Sequence, residues 1–125
     1  MVKITYSQKA MNALVERKES VVVAGYLYSF PKPGTPRRDV DEISQVDVGE
    51  VKGEIAPGAI ATFGRVKLDQ SLLKWVDKQG TQLLINVYSG RKSSENNLLD
   101  CGIYEGSLQA IQGRTITIDC KLIGE

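Results

Sequence analysis

Hydrophobic positions recur along the chain with two different periods, and the switches between them mark out the elements. In residues 5–18, Ala10, Met11, Leu14 and Val15, with Lys18 next in phase, follow the i, i+3, i+4 spacing of one helical face. Two N-terminal caps compete. Thr5 with Gln8 forms a capping box, or Ser7 caps while Tyr6 staples onto Met11. The period then falls to two. Residues 21–30 are rich in Val, Tyr and Phe, which suit a pleated strand. Pro31, Pro33 and Pro36 end that strand, because proline cannot donate to a sheet ladder. Residues 31–47 are expected to form a long loop, a feature that is often functional in a compact domain.

Residues 50–68 read as a hairpin about Pro57-Gly58, a pair suited to a type II turn. The implied register sets Ile55 against Ile60, Lys52 against Phe63, Val51 against Gly64 and Glu50 against Arg65. Residues 69–79 read as a second helix, capped by Asp69 and closed by Gly80, with Leu72, Leu73 and Val76 buried and Trp75 at the edge. Residues 81–88 form a strand with Leu83, Ile85 and Val87 on one face, and residues 89–97 a polar loop. A second hairpin joins residues 98–108 to 114–122. A four-residue loop pairs Leu99 with Leu122, Asp100 with Lys121, Cys101 with Cys120 and Ile103 with Ile118, and keeps polar groups out of the core. The sum is an α+β domain: a mostly antiparallel, curved, half-barrel-like sheet of about six strands with two helices packed on one face. Strand 21–30 is a candidate edge, and the second face of the sheet needs cover, which self-association into a homo-oligomer would supply.

Composition narrows the function classes. At 125 residues the chain is expected to be a single domain, residues 1–125. Sixteen basic and fifteen acidic residues nearly cancel, so no large single-sign field exists for duplex DNA or an anionic membrane. No apolar run approaches the roughly 20 residues of a membrane span, and the N-terminus lacks a signal-type apolar stretch. A cytoplasmic home is the default expectation. The absence of histidine removes the commonest general base and the commonest nitrogen metal ligand.

The remaining candidates are few. Tyr26, Tyr28 and Phe30 share one face of the first long strand, and Lys32, Arg37 and Arg38 follow in the loop. Rings beside cations can stack bases and hold phosphates of a single strand, although a row of rings at period two also suits a core or an oligomer interface. Asp39, Asp41, Asp47 and Glu50 fall at calcium-loop spacing, but Ile43 and Ser44 occupy positions that loop cannot spare, so no metal is expected. Cys101 and Cys120 read as buried packing thiols, with a cross-strand disulfide as the alternative. Glu50 and Glu54 fit an exposed charge ladder with Lys52 and Arg65. Neither GxGxxG nor a Walker pattern occurs, and no cofactor is expected. The leading expectation is a non-catalytic binding or accessory protein acting through a sheet surface and the 31–47 loop, probing a protein or small-molecule partner. The alternatives are a single-stranded nucleic-acid binder and a small-ligand receptor or small enzyme with a carboxylate and tyrosine pocket.

Overall fold

The computed structural model describes residues 1–41, 45–63, 69, 71–75 and 80–125. The chain opens with a strand that helical periodicity hides. β1 (Val2–Tyr6) precedes α1 (Gln8–Glu16), because Val2 and Ile4 alternate with Lys3 and bury one face each side of it. Thr5 therefore lies in β1, and Ser7 is the cap: its Oγ accepts from the Ala10 N–H at 3.1 Å. The helix ends in a Schellman motif, with Glu19 N–H donating to the Leu14 carbonyl at 2.8 Å and Lys18 N–H to Val15 at 3.2 Å. Lys18 adopts the left-handed φ of 54° that this motif requires.

β2 (Val21–Ser29) follows, matching the predicted strand. It is central and not an edge. β3 (Val46–Ile55) pairs along one side of it and β4 (Gln82–Ser89) along the other, both antiparallel. β6 (Tyr104–Ser107) adds beyond β4. The second sheet has β7 (Ile116–Leu122) in the middle, with β1 parallel to it and β5 (Leu99–Cys101) antiparallel. The single curved sheet of about six strands is thus replaced by sheets of three and four strands. A single open sheet would leave one apolar face wet. Two sheets share one core instead, built from Val21, Val23 and Leu27 of β2, Leu83, Ile85 and Val87 of β4, and Ile4 and Ile118 of the smaller sheet. Leu14 of α1 joins the same core at full burial.

Each predicted hairpin is half present. The turn at Pro57-Gly58 forms, with Ala59 N–H donating to Ala56 at 3.0 Å and Gly58 at φ 92°. Beyond it the chain leaves β3. Lys52 pairs with Ala24 and Ile55 with Val21, while Ala61 forms a bridge to Val2. Phe63 packs against the core and is no partner of Lys52. The expected partners Gly64 and Arg65 lie outside the described residues. β2 displaces the second arm because its longer apolar face buries more surface beside β3 than residues 59–63 could.

The second hairpin holds at its open end: Leu99 faces Leu122, Asp100 faces Lys121 and Cys101 faces Cys120. It fails after Gly102. Ile103 is 65% exposed and does not meet Ile118, because β6 crosses to β4, where Tyr104 pairs with Ile85. The expected four-residue loop is instead α2 (Leu108–Ile111). The helix expected over 69–79 is described only in part, as a 3-10 turn at Leu73–Trp75; Val76 lies outside the described residues. Asp69 does cap that turn, accepting from Ser71 N–H at 3.0 Å.

The cysteines are bonded to each other, which corrects the expectation of packing thiols. Gly102 N–H donates to the Asp119 carbonyl, so the neighbouring cysteine pair occupies a non-hydrogen-bonded site, where facing side chains come closest. The Cα atoms are 4.1 Å apart. A disulfide suits an oxidising setting, so reduced thiols no longer support a cytoplasmic home. Among the described residues no helix is long and apolar enough to cross a membrane.

The bond closes a sequence separation of 19 residues, worth about 3 kcal/mol from chain entropy. The C101A/C120A double variant should lose stability of that order in urea melts, and the wild-type protein should lose the same amount in reductant. Equal midpoints with and without reductant would show that the bond contributes nothing.

Candidate functional site

The even positions of β2 project from the outer face of the larger sheet. α1 and α2 both lie on the core side, so no described helix covers this face. The three rings nevertheless have three different fates. Tyr26 is half-buried, Tyr28 is buried at 8% exposure, and Phe30 is exposed just past the end of β2. A register shift between Leu27 and Tyr28 interrupts the row. Tyr28 and Phe30 still meet edge to face at 5.8 Å. Burial, and then the adjacent Glu105 carboxylate, push the Tyr28 phenol above its ordinary pKa.

The neighbours of these rings are acids as much as bases. Glu50 stands across from Tyr26 and Asp47 across from Tyr28. Lys52 lies beside the Tyr88 phenol and the Glu50 carboxylate, which raise its pKa. Arg91 sits 5.9 Å from the centroid of the Tyr88 ring, and Lys92 pairs with Glu54 at 3.2 Å. The loop cations Lys32, Arg37 and Arg38 are all exposed. Lys32 N–H donates to the Trp75 carbonyl at 3.2 Å, and the Arg38 guanidinium has Asp39 as its nearest acid at 4.0 Å. A phosphate backbone laid along the rings would therefore run past Asp47, Glu50 and Glu105. Asp47 and Glu50 belong to strand β3, which breaks up the calcium-loop spacing; Ile43 and Ser44 lie outside the described residues. Among the described residues no group of three or more metal-type ligands forms.

One acid on the chain is used structurally in a way its sequence position does not signal. The Schellman turn delivers Glu19 into the interior at 3% exposure. Its carboxylate accepts from Lys92 N–H at 2.9 Å, Ser93 N–H at 2.9 Å, Ser93 Oγ at 2.7 Å and Ser20 N–H at 3.1 Å. Gly90 makes the approach feasible: a Cβ there would lie 1.9 Å from Ser20 Oγ. Burial by itself would raise the Glu19 pKa, but the donors from Ser93, Lys92 and Ser20 outweigh it and hold the carboxyl down at about 2. This latch fixes the loop that carries Arg91 and Lys92 to the edge of the outer face.

A further concave feature lies elsewhere, between the sheets. It is a cavity of about 590 Å³. Leu27, Leu83, Ile85 and Val51 of the larger sheet form its floor, and Val2 and Ile116 of the smaller sheet its roof. Phe63 closes one side and α2 contributes Leu108 and Ile111. Among the described lining residues, those with polar side chains are Gln112 and Arg114, after the helical turn. None of Tyr26, Tyr28, Tyr88, Tyr104 or Trp75 lines it, so this cavity is distinct from the expected carboxylate and tyrosine pocket. A trace of it was present in the sequence: Leu108 and Ile111 at i, i+3 with Gly113 following is the signature of a helical turn with its terminator. No protein-family description matches this chain, and neither does any curated protein or solved structure.

The Glu19 latch makes a pH-dependent prediction. The folded-state pKa lies below the ordinary value of 4.5, so the stabilisation is complete above pH 4.5 and is lost as pH falls toward 2. E19A should lower stability by about 2–3 kcal/mol at pH 7, since it strands buried donors, and should flatten the acid limb over that window. Urea melts at pH 7 and pH 3 measure both. An unchanged difference between the two pH values would remove the carboxylate from the account.

Proposed function

We propose that this chain is a non-catalytic binding protein that holds a small apolar molecule between its two sheets. The observation that carries the reading is the inter-sheet cavity, about 590 Å³ with walls of Leu, Ile, Val and Phe. Its size falls within the range of roughly 300–1,000 Å³ typical of small-molecule sites. Removing apolar ligand surface from water supplies the driving force, at about 25 cal/mol for each Å². Among the described lining residues no carboxylate, hydroxyl or thiol stands ready as base or nucleophile, which supports retention of a ligand over its conversion.

The neutral dye N-phenyl-1-naphthylamine tests this by fluorescence titration. It should bind saturably, and I111W, which fills space from the α2 wall, should weaken binding about tenfold or more by displacing ligand volume. I103S, on an exposed side chain remote from the cavity, should change nothing. Non-saturable binding, or equal binding by I111W, would place the dye elsewhere and refute the cavity as the site.

A second reading rests on the outer face. Tyr26, Tyr88 and Phe30 stand there among alternating acids and bases, with no described helix over them. Such a mixed, ring-bearing face suits a protein partner, including a second copy, since acids of one face can meet bases of the other. Y26K should then weaken self-association about tenfold by putting a charge at the centre of the contact. Sedimentation equilibrium checks this, and a wild-type monomer at high micromolar concentration would rule out the second copy.

A further inference from the structure

The cavity has one chemically distinct end, and that end points to the class of ligand. The α2 turn closes at Gly113, whose φ of 74° turns the chain sharply, and Arg114 N–H returns to the Ile111 carbonyl at 3.0 Å. This backbone arrangement sets the Arg114 side chain at the cavity rim beside Gln112. Every other described side chain lining the cavity is apolar, Gly113 aside. Arg114 is exposed and, like Lys32, Arg37 and Arg91, forms no ion pair among the described residues; unlike them, it stands at the lining of an apolar cavity. A guanidinium with no counter-ion at the mouth of an apolar chamber is a receptor for an anion that carries an apolar body. One arginine offers one positive charge in a planar fork, which matches a carboxylate in a bidentate pair. A phosphate monoester would bring a second negative charge, and no second charged side chain is among the described lining residues.

We infer that the ligand is an amphipathic monocarboxylic acid, with its apolar body between the sheets and its carboxylate on Arg114 and within reach of Gln112. This rests on the cavity reading above and adds the head group to it. The acid binds through its ionised form, so affinity falls once pH drops below the ordinary carboxylate range.

Calorimetric titration with octanoic acid, 1-octanol, octylamine and octyl phosphate at pH 7 separates the two claims. The acid should bind roughly tenfold to a hundredfold more tightly than the alcohol, the usual gain from a hydrogen bond to a charged group, and more tightly than the phosphate, while the amine should bind most weakly. R114A should remove the advantage of the acid and leave the alcohol within about twofold, since only the head-group contact is deleted. If acid and alcohol bind alike, or R114A weakens both equally, the head-group assignment is wrong and the cavity reading stands. If octyl phosphate binds best, the anion class is wrong. If none of the four binds, both the inference and the cavity reading fall.

Discussion

Keeping water off one face of β2 is the constraint on which the rest of this molecule depends. Val21, Val23 and Leu27 lie on that face and are all essentially inaccessible. Two flanking strands cannot cover them, because strands shield edges and not faces. The cover comes from the second sheet, whose Val2, Ile4 and Ile118 meet the same core. β1 reaches the second sheet by pairing in parallel with β7, and that parallel pair demands the long crossover through α1 and nearly the whole chain. Recruiting β1 also draws Ala61 into its bridge with Val2, which strips the first predicted hairpin of its second arm.

The cavity follows from the same arrangement. Ala61 ties the chain after the Pro57-Gly58 turn to β1, and the disulfide ties β5 to β7. Near Ile116, where β7 begins, the described covering pieces are Phe63 and the single turn of α2. A four-residue helix spans about 6 Å, too little to seal the gap between two sheets that pack about 10 Å apart. The space between them is therefore walled by the side chains that make the core elsewhere, and its mouth receives whatever follows α2. Here that is Gln112, Gly113 and Arg114. The core's own geometry builds the chamber, and the turn after α2 gives it a charged rim.

The outer face obeys different physics. On one face of β3, Lys52 alternates with Glu50 and Glu54, and Glu50 and Lys52 meet at 3.5 Å. Both side chains are about half exposed, so solvent screens the pair and it adds little to stability. Its effect is on the surface potential, which stays mixed beside Tyr26 and Tyr88. Glu19 shows the contrast. Four donors converge on a carboxylate sealed from water, and the same kind of group becomes a structural latch. Burial and satisfied hydrogen bonds separate the two cases.

Local periodicity by itself determined α1, β2, β4, the Pro57-Gly58 turn and the Cys101–Cys120 register, because each rests on contacts between near neighbours or on one alternating face. The rings of Tyr26, Tyr28 and Phe30 were legible as a row, but their separate exposures were not: those depend on the shift beside Leu27 and on Glu105, brought from the far side of the sheet. Only the tertiary structure decided that β1 exists, that residues 59–63 abandon β3, and that the chain after Gly102 changes sheets. Leu108 and Ile111 fit either a strand or a helical turn, and the choice between them depends on whether a second sheet lies opposite. Arg114 likewise had no meaning until that sheet supplied the apolar chamber behind it. Period fixes which face of an element is apolar; it carries no information about which distant face will bury it.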